Sequence, residues 1–184
     1  PLTEQKAVSG TVSLIGSDFT LDESSDIRRI LRTTGYTLKE LPGCRTWEEY
    51  QQLGTGELLI SCYPPAKYGA DILAERLKRQ HLYLPGSFDY GEIKEEIQSL
   101  VHALRIEKNV SSDDLEAFFE REITLCEDTF RHTKTVIGDT PIVLDYLFHP
   151  RPLGLAKILL EHEFQVTAVY LDSISPEEKS TFDW

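Results

Sequence analysis

The sequence predicts an α/β fold, with a Rossmann-like parallel sheet domain followed by a truncated second βαβ unit. Three observations predict it. Short β-branched or apolar runs alternate four times in succession with stretches of helical periodicity. Each apolar run is closed by glycine or proline, and the alternation resumes after a long acidic helix. Such repetition specifies strands laid mostly parallel, joined by right-handed crossovers, with helices on both faces.

Thr11 to Ile15 alternates β-branched and small residues and stops at Gly16, which makes it the first strand. Ser24 and Ser25 are N-cap candidates ahead of Ile27, Ile30 and Leu31, whose i, i+3, i+4 spacing gives an amphipathic helix ending near Gly35. The chain re-enters the sheet over about Tyr36 to Leu41, until Pro42 and Gly43 end that strand. Thr46 and Glu49 form a capping box for a short helix through Tyr50. Leu58 to Cys62 is the third strand, broken by Pro64 and Pro65.

Ile72, Leu73 and Leu77 mark one face of the next helix, to about Arg79. His81 to Leu84 forms the fourth strand, and Pro85, Gly86 and Ser87 close it. Ile93, Ile97, Leu100, Val101 and Leu104 then give a helical stripe. From about Asn109 to His132 runs an acidic helix capped at Ser111, with Leu115, Phe119, Ile123, Cys126 and Phe130 on a common face. A second pattern follows: strand Ile142 to Phe148, helix Pro152 to His162 and strand Gln165 to Leu171. Pro152 suits a first helical turn, where its missing N–H would have no partner.

A chain of 184 residues accommodates one ordinary core and part of another. The predicted organisation is therefore an α/β domain over 1–108, a connecting helix over 109–135 and the start of a second α/β domain over 136–184. The expected order of the first four strands is 3-2-1-4. A second sheet of only two strands leaves an edge and apolar surface open, which predicts self-association through it. The chain begins at Pro1 and contains no Met, which reads as a piece of a longer polypeptide or as a chain with modified residues left out.

With 40% hydrophobic and 27% charged residues and no apolar run of membrane-spanning length, the composition is that of a soluble protein without a targeting segment. The net charge of −12 opposes nucleic acid and anionic membranes as partners. Cys44, Cys62 and Cys126 form neither a CxxC pair nor an even disulfide framework, which fits a reducing cytoplasm.

In open α/β sheets, ligands bind outside the carboxyl ends of the strands. Those ends carry Gly16-Ser17-Asp18, Gly43-Cys44, Cys62-Tyr63 and Gly86-Ser87, so two of the three cysteines fall on that edge. A cysteine there is either a ligand or a small buried hydrophobe. The loop after the first strand lacks both the G-x-G-x-x-G and the P-loop pattern. It also carries Asp18 and Asp22, which disfavours NAD or ATP. No histidine pair has zinc-helix spacing and no serine sits in a nucleophile motif. His81, His102, His132, His149 and His162 read as surface or capping residues, with His149 within reach of a ligand from a strand-to-helix loop.

Four segments together resemble a known family. Val12-Ser13-Leu14-Ile15-Gly16 with the helix to Gly35 is similar to the opening of the middle domain of nitrogenase component 1 type oxidoreductases. That family includes the molybdenum-iron protein α and β subunits and related cofactor-assembly scaffold proteins. Leu58-Leu59-Ile60-Ser61-Cys62-Tyr63 followed by Tyr68 resembles the family's segment carrying a cofactor-ligating cysteine. Gly86-Ser87-Phe88-Asp89-Tyr90-Gly91 is similar to its aromatic-glycine turn, and Pro152 to Leu159 resembles the helix opening its last domain.

The resemblance runs through nearly the whole chain in one order. It implies a subunit that holds an iron–sulfur-based metal cluster and passes electrons from an ATP-dependent iron–sulfur reductase to a substrate, beside a paralogous or identical subunit. It carries one residue over as cofactor and metal ligand, Cys62, a soft thiolate suited to iron. The isolated chain is expected to hold no cofactor. Pro64 and Pro65 depart from the polar and basic residues that usually follow that cysteine, and Cys44 matches no family role. The alternatives are a non-catalytic scaffold for metal-cofactor assembly and a small-molecule-binding α/β module.

Overall fold

The computed structural model describes residues 5–106 and 112–183, the side chain of Ser112 excepted. Two compact units emerge: residues 1–86 with 96–106, and residues 87–95 with 107–184.

The first unit is built on four parallel strands: β1 (Val8–Leu14), β2 (Thr37–Glu40), β3 (Gly56–Ser61) and β4 (Gln80–Tyr83). Helix α1 (Asp26–Thr33) connects β1 to β2, α2 (Trp47–Gln52) connects β2 to β3, and α3 (Lys67–Leu77) connects β3 to β4. The caps are those written in the sequence. Ser25 accepts the Arg28 N–H at the start of α1, and Thr46 with Glu49 makes a reciprocal capping box on α2. Helix α4 (Tyr90–Ala103) begins in the second unit and contributes Ile97, Leu100 and Val101 to the core of the first.

The strand order is 2-1-3-4, not 3-2-1-4. The reason lies in β3, where Leu58, Leu59 and Ile60 are 2%, 0% and 0% exposed. A strand buried on both faces belongs in the middle of a parallel sheet, whereas the order 3-2-1-4 would put it at the edge. The short, polar strands β2 and β4 take the edges instead. Gly56 lets β3 begin hard against β1, since a Cβ there would stand 2.5 Å from Ser13 Oγ and 3.0 Å from the Ser13 nitrogen. The inward face of α3 also differs from expectation. Ala70, Ala74 and Leu77 are buried and Leu73 partly so, while Ile72 is 49% exposed. Two alanines complete a stripe at i, i+3, i+4, i+7 that Ile72 lies beside.

The second unit contains α5 (Ser112–Ile137), the parallel pair β5 (Ile142–Asp145) and β6 (Val166–Tyr170), their crossover α6 (Pro152–Glu161), and α7 (Lys179–Phe182). The cap expected at Ser111 lies outside the described residues. On α5, Phe119 is buried as expected but Cys126 is exposed, and the half-exposed Glu127 beside it bonds to Tyr90 and His162. Strand β5 stops before Phe148, because Asp145 accepts the Leu147 N–H through its carboxylate and the Phe148 N–H through its carbonyl, which closes a turn. Pro152 opens α6 as expected. Glu178, 1% exposed, sends its carboxylate to the Gly154 N–H in the first turn of α6, and the neighbouring Arg151 is 3% exposed. Among the described residues, no helix is long and apolar enough to cross a membrane.

Candidate functional site

Order 2-1-3-4 makes β1 and β3 neighbours whose connections leave in opposite directions, α1 toward β2 and α3 toward β4. In open α/β sheets ligands bind where such connections diverge, beyond the carboxyl ends of the two strands. The residues there are Ile15 and Gly16 after β1, and Cys62 and Tyr63 after β3. The Ile15 N–H donates to the Ile60 carbonyl at 2.8 Å, holding the two ends together. Gly16 has φ +73°, and a Cβ on it would lie 2.2 Å from the Ala66 Cβ, so the loop leaving β1 is pressed onto the loop leaving β3.

Cys62 is therefore at the switch point, and its electrostatics follow from its neighbours. Burial, then the carboxylates of Glu96 and Glu40, push its thiol up to about 12. Glu96 accepts the Gly86 N–H at 3.1 Å. Glu40, with 8% of its side chain exposed, pairs with Arg28 and accepts the Leu21 N–H at 2.7 Å. These acids are fixed by structural duties and still oppose a thiolate. Cys62 should accordingly be alkylated far more slowly at pH 8 than an ordinary thiol, by about a hundredfold to a thousandfold. Mass-spectrometric rates for the three cysteines check this, with exposed Cys126 reacting first. Parity between Cys62 and Cys126 would contradict it.

The other expected residues fall elsewhere. The Cys44 thiol donates to the Glu40 carbonyl at 3.4 Å, and burial followed by Glu49 raises its pKa. In the first loop, Asp22 accepts from the Ser24 N–H at 2.8 Å, and bonds to Ser24 hold its pKa below the usual value. His149 does not stand free in its loop. Its Nδ1 accepts the Arg151 N–H at 3.0 Å, its ring meets Phe88 edge-on, and burial lowers its pKa.

Two polar arrays had no motif to announce them. In the first unit, buried Ser61 bonds to His81, which bonds to Asp71. In the second, a cavity of about 330 Å³ is bordered by Tyr90, Glu92, Glu127, Arg151, Lys157 and His162. Tyr90 donates to Glu127 at 2.7 Å, and the Arg151 guanidinium reaches Glu92 at 3.2 Å. The bonds from Tyr90 and then His162 lower the pKa of Glu127.

Both nitrogens of His162 face oxygen acceptors, Nδ1 the Ile158 carbonyl at 2.8 Å and Nε2 the Glu127 carboxylate at 3.1 Å, so the ring is set up as imidazolium. Partial burial opposes that charge, but Ile158, Glu127 and Glu161 outweigh it and raise the pKa above 6.5. A raised folded-state pKa gives stability that is complete below the unfolded value and is lost as pH rises through the folded one. The thermal midpoint is thus expected to fall as pH rises from about 6 to 8, and His162→Gln to flatten that slope. An identical slope in the variant would remove His162 as its source.

An iron–sulfur-based group needs several soft donors around it. Among the described residues, no three or more His, Cys, Asp or Glu side chains are gathered as a metal site requires. At the switch point the described residues place the Cys62 thiol, faced by Glu96 and Glu40.

No protein-family model and no curated protein matches the sequence. Solved structures do match. "Nitrogenase Cp1 at pH 6.5" is 15% identical over 98% of this chain with a TM-score of 0.59, and "Nitrogenase Cp1 at pH 5" is 14% identical over 97% with a TM-score of 0.59. The chain spans 36% and 37% of the lengths of those chains. At that identity the likeness speaks for architecture, and the chain has a nitrogenase-like α/β fold.

Proposed function

We propose that this chain is part of a nitrogenase component 1-like oxidoreductase subunit, and that Cys62 is its contact to a metal cluster completed by ligands from outside these two units. The observation that carries the reading is the position of Cys62 at the carboxyl end of β3, beside β1 at the switch point, in a fold matched over 98% of the chain. In this reading the cluster carries the multi-electron chemistry, while the chain supplies a thiol, fixed neighbours and restricted access of water. The partners are an identical or paralogous subunit and an ATP-dependent iron–sulfur reductase.

A second reading is a scaffold on which a metal cofactor is assembled, or a small-molecule-binding module. The acid-faced thiol, pushed up to about 12, favours the binding module, which needs no thiolate. Anaerobic purification of the full-length subunit with its partner separates the readings. A redox subunit retains iron and takes up electrons when the reductase and ATP are added. Iron without ATP-dependent uptake supports the scaffold, and neither supports the binding module.

A further inference from the structure

The first unit contains an array of hydroxyl, imidazole and carboxylate that has no part in the reading above. Ser61 closes β3, His81 lies in β4 and Asp71 on α3. His81 Nδ1 is 2.6 Å from Asp71 Oδ1, and His81 Nε2 is 2.8 Å from Ser61 Oγ. An ionised carboxylate only accepts, so Nδ1 carries the proton, and in the neutral ring Nε2 keeps a lone pair. The bonds therefore run in one direction, with Ser61 donating to His81 and His81 donating to Asp71. Serine hydrolases arrange nucleophile, base and orienting acid in this order.

Access separates this array from a hydrolase. Ser61 is 0% exposed and the His81 side chain 5%, whereas the Asp71 side chain is 56% exposed. No acyl carbon can approach an Oγ sealed beneath α3. The bonds instead immobilise Ser61, whose carbonyl also accepts the Leu84 N–H at 2.8 Å. Side chains alternate faces along a strand. A lock on Ser61 on the face toward α3 therefore fixes the backbone from which Cys62 turns the other way, toward Glu96 and Glu40.

We propose that Asp71, His81 and Ser61 form a positioning relay, anchored at the surface by Asp71, that locks the carboxyl end of β3 and thereby the presentation of the Cys62 thiol. The importance given to Cys62 rests on the proposed function, while the lock can be measured without it.

The test uses the whole chain with Cys44→Ser and Cys126→Ser, so that N-ethylmaleimide reports Cys62 alone. Asp71 is exposed, and its variants leave the buried packing in place. Nitrogen-15 NMR is expected to find His81 in the Nδ1–H tautomer. Asp71→Ala should remove that preference and speed Cys62 alkylation on the order of tenfold, through local opening of the strand end. Asp71→Asn keeps an oxygen acceptor and should restore both readouts.

The relay would be overturned by an Nε2–H tautomer in the unaltered chain, a tautomer change without faster alkylation, no rescue by asparagine, or labelling of Ser61 by a fluorophosphonate. Faster alkylation that merely tracks a lowered denaturation midpoint would also count against it. Iron retention in the full-length subunit bears on the proposed function alone, so the two can fail separately.

Discussion

Gly16→Ala is expected to destabilise the first unit by about 2–5 kcal/mol. The left-handed backbone, φ +73°, costs a residue with a Cβ about 1–2 kcal/mol. The new methyl would lie 2.2 Å from the Ala66 Cβ, and relieving that overlap adds about 1–3 kcal/mol of overpacking. The displaced loop is the one that follows Cys62, so the thiol should become more reactive as stability falls. Urea denaturation measures the effect. A loss below about 1 kcal/mol would mean that the two strand-end loops are not in the contact described.

A second large effect is expected at Leu59, which is 0% exposed and packs with Ala74, Leu77, Ile15 and Leu73 between sheet and α3. Leu59→Ala removes buried methyl groups and leaves a cavity that rigid strands on either side cannot close. The expected cost is about 2–5 kcal/mol. Ile72→Ala on the same helix is the control, because Ile72 is 49% exposed and should lose no more than about 1 kcal/mol. Equal losses at the two positions would contradict the assigned face of α3.

The contrast between Leu59 and Ile72 illustrates what the sequence made legible. Strand ends at Gly16, Pro42 and Pro64, and caps at Ser25 and Thr46, follow from local backbone chemistry and could be read directly. Strand order is not local. The continuous run Leu58-Leu59-Ile60 is the sequence signal that β3 is central, and it conflicts with the order 3-2-1-4. Alanines at positions 70 and 74 are weak hydrophobic markers, so the sequence pattern points the inward face of α3 through Ile72.

The position of Cys62 at a strand end was visible in the pattern, but its acids were not, since Glu40 and Glu96 come from distant segments. The Ser61–His81–Asp71 array was equally invisible. Its members stand ten residues apart with no motif, and the pairing of Leu59 with His81 across β3 and β4 brings them together. His81 reads in the sequence as a surface or capping residue, and in the structure it is neither.

The proposed contact of Cys62 with a metal cluster in the complete protein is tested most directly by one comparison. The full-length subunit and its Cys62→Ala variant are purified anaerobically with the partner subunit. Iron content, electron paramagnetic resonance signal and denaturation midpoint are then measured on both. The variant is expected to keep its fold, because a small side chain replaces a partly buried thiol, but to lose the cofactor signal and most of its iron. Unchanged iron and activity in the variant would contradict the proposed contact and remove Cys62 from the cluster site.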